Sequence, residues 1–240
     1  MKDCGQYGAS HMEDRSLPVS VHFTVAGNMC YVSHAEMLRV FQRACARVAI
    51  PLSHSRGFNP RPRLSLPLPR SVGVESDDEL LWIRVDLAPG PESQSCDLRA
   101  QFDADRLMKE LGRQLPNGCD LTSVSVAESK TPPRPVSAIY VLTLPKDRPD
   151  DKLQAAIEFI LHSQRLPVQR AAAGGKKHPR TVDVRTFIKS VEFTGEKIMV
   201  ECSISPNGSI RVEEILNLLD LDAAVLAAPV KRTNVRWFKI

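Results

Sequence analysis

The chain lacks any apolar run long enough to cross a membrane. Its most apolar stretch, Ala223 to Val230, is far shorter than the roughly 20 residues a spanning helix needs, and it contains Pro229. Residues 1–16 lack the apolar segment of a secretory leader, so a cytoplasmic location without membrane partners is expected, and these residues are set aside from fold reasoning. The six cysteines (Cys4, Cys30, Cys45, Cys96, Cys119 and Cys202) include no C-x-x-C pair or zinc-type spacing. Without secretion a disulfide framework has no setting. Cys45 and Cys202 fall in apolar registers, where a thiol acts as a small hydrophobe. There is no H-E-x-x-H and no G-x-S-x-G, and Gly174-Gly175-Lys176-Lys177 does not follow phosphate-loop spacing. No metal site, cofactor or catalytic activity is expected in this chain.

What the chain does have is ordinary globular composition and unevenly placed charge. Its 240 residues are 42% hydrophobic and 25% charged, enough for one or two packed domains. Net charge is only +4, yet the segment Leu38–Val74 carries seven arginines and no acid: Arg39, Arg43, Arg47, Arg56, Arg61, Arg63 and Arg70. Phe159–Val182 adds Arg165, Arg170, Lys176, Lys177 and Arg180, and the stretch after Asp222 adds Lys231, Arg232, Arg236 and Lys239, again without acids. Acids gather at Glu75–Glu79 and Glu213–Asp222. Such segregation places a cationic face on a nearly neutral protein.

Hydrophobic periodicity sets the element order. Ser20–Ala26 alternates as a half-buried strand, and Ser33-His34-Ala35-Glu36 reads as a capping box opening a helix. Met37, Leu38, Phe41, Cys45 and Val48 share one face of that helix, Arg39, Arg43 and Arg47 another, and Pro51 stops it. Leu80–Leu87 alternates, with Trp82, Arg84 and Asp86 on the polar side. A helix over Asp103–Leu115 and a strand over Leu121–Ala127 follow. After Thr131–Pro135 the order restarts: strand Ala138–Leu144, helix Asp150–Gln164, hairpin Phe187–Phe193 and Lys197–Ile204, a helix through Val212–Leu219, and a strand Val230–Phe238. Weaker strand signals lie near Arg63–Leu68 and Leu166–Arg170. The pattern predicts an α+β fold of two tandem ferredoxin-like (βαββαβ) modules, with antiparallel sheets and helices on one face. The expected modules are residues 17–130 and 137–240, joined by a Pro-rich linker at 131–136.

The segment Ser53–Arg63 is the most unusual. Gly57 permits a positive φ, and Pro60 and Pro62 stiffen the backbone. It presents His54, Arg56, Arg61 and Arg63 beside Phe58 and Asn59. Guanidinium forks grip phosphates, and an exposed ring offers a stacking platform. The expected nucleic-acid surface combines these six residues with Arg39, Arg43, Lys176, Lys177, Arg180, Arg185, Arg232 and Arg236, gathered in one cationic cleft. The only weak catalytic candidates are His34, at a helix start, and His54, which could move protons in a metal-independent ribonuclease. His54 could instead contact a phosphate. A protein-interaction subunit, whose arginines dock an acidic partner, is a third reading of the same charge.

Several runs together resemble a known family: Ser33-His34, Leu38-Arg39, Arg43-Ala44, Ser55–Pro62, Leu68-Pro69, Gly73-Val74-Glu75-Ser76, Glu79, Val182-Asp183-Val184-Arg185, Ile188 and Lys231-Arg232-Thr233. In combination they resemble the bacterial radical-SAM-linked domain of unknown function, over roughly residues 17–240. Arg61 stands where that family more often has histidine, and Glu36 where it has aspartate. The resemblance implies a radical SAM protein as partner, carrying the iron–sulfur cluster, the S-adenosylmethionine and possibly cobalamin. Closely spaced cluster-binding cysteines are absent from this chain. An RNA-binding, substrate-recognition role beside that partner is the expected function.

Overall fold

The structure is a computed structural model that describes residues 16–86, 99, 102–146, 151–171 and 179–238. Strand β1 (Ser16–Val25) buries Leu17, Val19, Val21, Phe23 and Val25 on one face, as alternation requires. The capping box opens α1 (His34–Arg47): Glu36 N donates to Ser33 Oγ at 3.3 Å, and Ser33 N donates to Glu36 Oε2 at 2.9 Å. Met37, Phe41, Ala44 and Cys45 bury, whereas Arg39, Arg43 and Arg47 are exposed. There follow β2 (Leu64–Ser65), β3 (Glu75–Asp86), α2 (Ala104–Gly112), β4 (Leu121–Val126) and β5 (Arg134–Thr143). The rest comprises α3 (Asp151–His162), β6 (Pro167–Arg170), β7 (Arg180–Asp183), β8 (Ile188–Thr194), β9 (Lys197–Ser203), α4 (Val212–Leu218) and β10 (Lys231–Phe238).

The result is a mixed α/β structure built on one mostly antiparallel sheet, in the order β4-β1-β3-β10-β5-β9-β8, with β2 also paired to β3. Strands β6 and β7 pair separately. Two buried clusters pack on the sheet. In one, Phe23 and Phe41 meet edge to face at 4.8 Å beside Leu81, Ile83 and Leu111. In the other, Leu142, Ile157, Ile160, Ile198, Ile215 and Leu219 interlock. Full burial of each such side chain stabilises by roughly 1.5–3 kcal/mol.

The two parts of the sheet meet where β3 and β10 run parallel, with Glu75 opposite Lys231 and Ser76 opposite Arg232. Charge closes this seam. Lys231 Nζ lies 3.2 Å from Asp77 Oδ1, and Asp78 accepts from Val235 N at 3.1 Å while pairing with His22 Nδ1 at 3.2 Å. This explains why β3 starts at Glu75 rather than near Leu80. An acidic run is a poor strand by itself, but here it faces the cations of β10.

Three other expectations shift. Ser16, set aside with the N-terminus, belongs to β1, and its Oγ accepts from buried Arg84 Nε at 2.9 Å. Residues 1–15 lie outside the described residues. Within the stretch 131–136 expected as a linker, Arg134 and Pro135 belong to β5 and pair with Phe238 and Trp237. Gly57 does not use the left-handed region; Gly118 does, with φ +86. A Cβ on Gly118 would come within 2.3 Å of Ala26 O. No helix among the described residues is long and apolar enough to cross a membrane.

Candidate nucleic-acid interface

Pro51 ends the run after α1, and the chain then folds back as a braced hairpin along β3. Ser53 N donates to Arg84 O at 2.7 Å, Arg63 N to Ser53 O at 2.7 Å, and Arg84 N to Arg63 O at 3.0 Å. Nearer the tip, Ser55 N donates to Arg61 O at 2.8 Å and Arg61 N to Ser55 Oγ at 2.9 Å. Pro60 and Pro62 need no backbone donors, and His54 bridges to Pro62. The stem is therefore fixed to the sheet while residues 56–60 project. Phe58 is fully exposed (107%), and His54, Arg56, Asn59 and Arg61 are exposed around it; Arg63 is half-buried in the stem. A phenyl ring held in water on a braced tip contributes nothing to the core.

Arg39, Arg43 and Arg47 are exposed on α1, which packs against β2. Arg180 and Arg236 are exposed on β7 and β10. Lys176 and Lys177 of the expected cleft lie outside the described residues.

Two members of the expected surface are not on it. Arg232 is 1% exposed; its guanidinium pairs with buried Glu79 and donates to Pro69 O at 2.9 Å. Burial works against its charge, but the Glu79 carboxylate and the Tyr140 hydroxyl outweigh it and hold the pKa above the usual value. Arg185 spends its guanidinium on three backbone carbonyls: Ser163 at 3.0 Å, Ile188 at 2.8 Å and Leu161 at 3.2 Å. Arg232 is closed to a polyanion in the folded protein, and Arg185 is half-buried with its guanidinium committed to these carbonyls.

Two more arginines of the acid-free segments are internal. Arg70 brackets five carbonyls, those of Met29, Cys30, Val32, Ser71 and Val74. Arg170 makes a forked pair with Glu214, at 2.7 and 2.8 Å, and also donates to Ser209 O at 2.7 Å. Burial pushes the Glu214 carboxyl up, but Arg170 and the Arg211 N–H more than offset this and hold it below its ordinary 4.5. Asp183 is likewise lowered, by the N–H groups of Leu166 and Arg185.

His34, half-buried at the start of α1, lines a small cavity with Arg70 and Glu79, whereas His54 is exposed on the hairpin. The described cysteines, Cys30, Cys45, Cys119 and Cys202, are all buried free thiols, and burial pushes the last three up to about 12. Thiols so protonated are poor nucleophiles. Among the described residues no group of His, Cys, Asp and Glu side chains is arranged to hold a metal ion.

No curated protein matches the chain. One family model does, over residues 19–213, a span that takes in α1, the hairpin, Arg170 and most of both buried clusters. The chain belongs to this family, DUF2344, described as uncharacterized protein conserved in bacteria.

Proposed function

We propose that this protein binds RNA without catalysing a reaction on it, and recognises substrate for a radical S-adenosylmethionine protein. The observation that carries this reading is the hairpin tip: Phe58 stands fully in solvent on a stem fixed to β3, with Arg61 beside it. A base can stack on the ring, at about 1–3 kcal/mol per base, while guanidinium groups hold the adjoining phosphates. Counted within each part, both β4-β1-β3-β2 and β10-β5-β9-β8 run fourth-first-third-second, the ferredoxin-like order, so we read the chain as two such units. The partner rests on the resemblance alone; its iron–sulfur cluster, S-adenosylmethionine and any cobalamin would sit outside this chain.

Fluorescence anisotropy with labelled single-stranded RNA tests the reading. Binding is expected to weaken steeply between about 50 and about 200 mM salt, as phosphate contacts release counterions. Phe58→Ala and Arg61→Glu are expected to weaken it without lowering thermal stability. Absence of binding at both salt concentrations refutes an RNA role. Purification with and without nuclease then asks whether a radical SAM protein accompanies the chain directly.

A further inference from the structure

We infer that the side of the sheet opposite the first buried cluster holds a pocket for one unstacked nucleobase. The register builds its floor. Ser125, Ser20 and Trp82 lie side by side across β4, β1 and β3, with Ser123, His22 and Leu80 in the next row. The segment 127–133, crossing from β4 towards β5, forms a rail held by Ala127 N to Pro18 O at 2.9 Å and Arg84 Nη1 to Lys130 O at 2.9 Å. Trp237 of β10 also lines the space, which encloses about 390 Å³. That volume lies in the range of small-molecule sites, about 300–1,000 Å³.

The chemistry of the lining selects the ligand class. Both tryptophans of the chain border the pocket, supplying aromatic surface for a flat ring. The Ser20 and Ser125 hydroxyls, 2.9 Å apart, can each donate or accept, as recognition of a base edge requires. The Trp237 Nε1–H is enclosed without an acceptor among the described residues, a donor that a ring nitrogen or carbonyl could satisfy. Among the described residues no lysine or arginine lines the space and Glu128 does, which favours a neutral heterocycle over a phosphate.

The pocket adjoins the cationic hairpin through the backbone. Ser65 of β2 pairs with Trp82 itself, and Ser53 N bonds Arg84 O, two residues on. One RNA strand can thus place phosphates on the hairpin and a base in the pocket. The inference takes its ligand class from the RNA-binding reading, but the two can fail separately.

Because both tryptophans border the pocket, intrinsic fluorescence of the full chain reports its occupancy. Adenosine and uridine, which carry no phosphate, and 12-residue oligo(A) and oligo(U) serve as probes, with anisotropy run in parallel on the oligonucleotides. The expected result is saturable quenching by a nucleoside and by its oligonucleotide. Ser125→Val, at an exposed strand position, is expected to weaken both by about 2- to 10-fold, the effect of one lost hydrogen bond. Arg61→Glu is expected to weaken the oligonucleotide alone. Trp237→Phe, checked for folding by circular dichroism, should act as Ser125→Val does. Oligonucleotide binding without quenching, indifferent to Ser125→Val, overturns the pocket and leaves the RNA reading standing. Quenching by a nucleoside with no oligonucleotide binding upholds the pocket as a free-nucleoside site and overturns the RNA reading. No response to any probe overturns both.

Discussion

Replacing Arg232 with methionine tests whether the seam between β3 and β10 is held by charge. The side chain is 1% exposed and Glu79 is 4% exposed. The substitution keeps apolar bulk but leaves the carboxylate buried without its cation, and it strips donors from the Pro69 and Leu68 carbonyls. Breaking a buried pair from one side costs about 3–5 kcal/mol. Against a typical total of about 5–15 kcal/mol, that removes a large share of the stability. With a urea m value of about 3 kcal/mol/M, the unfolding midpoint falls by about 1–1.7 M. The companion variant, Glu79→Leu with Arg232→Met, removes both charges and should recover about 2 kcal/mol or more relative to the sum of the single substitutions. Urea unfolding followed by circular dichroism measures all four proteins. A cost below about 1 kcal/mol for Arg232→Met, or simple additivity in the cycle, refutes the argument.

Acid sensitivity follows from the lowered carboxyls. A folded-state pKa below the ordinary value stabilises above the unfolded pKa, and that stabilisation is lost as pH falls through the folded pKa. Thermal melting should therefore drop as pH falls below about 4.5, and Glu214→Gln, less stable at neutral pH, should show a shallower drop over that window. Gly118→Ala forces a left-handed residue with a Cβ against Ala26 O and should cost about 1–3 kcal/mol; an unchanged melting temperature contradicts that packing.

Local signals are legible wherever neighbours in sequence are neighbours in space. The Ser33–Glu36 capping box, the three arginines on one face of α1 and the stiffened hairpin all follow from spacing within a few residues. Charge is different. A run of arginines without acids reads as a surface, yet Arg70, Arg170, Arg185 and Arg232 are brackets for carbonyls or for distant carboxylates. Arg232 and Glu79 are 153 residues apart, and nothing local to either announces the other. The acids at Glu75–Glu79 mislead for the same reason: in sequence they look like a solvated cluster, and in the fold they begin a strand. The pocket does leave a trace, since Trp82 stands on the polar side of an alternating strand, where a large aromatic needs a partner. Its roof and wall, from residues 127–133 and Trp237, come from the topology and have no local signal.

The seam also has a consequence for synthesis. The strands β1, β3 and β4 and the helices α1 and α2 have all left the ribosome once about the first half of the chain is made, well before β10. At that stage the Glu79 carboxylate lacks its guanidinium and the edge of β3 at Glu75–Ser76 lacks its partner strand. Only when Lys231 and Arg232 emerge can the edge be covered and the charge neutralised. Until then the acids of β3 keep that edge hydrated and repel a second nascent copy presenting the same edge, so the residues that later lock the sheet first guard it against pairing with the wrong chain.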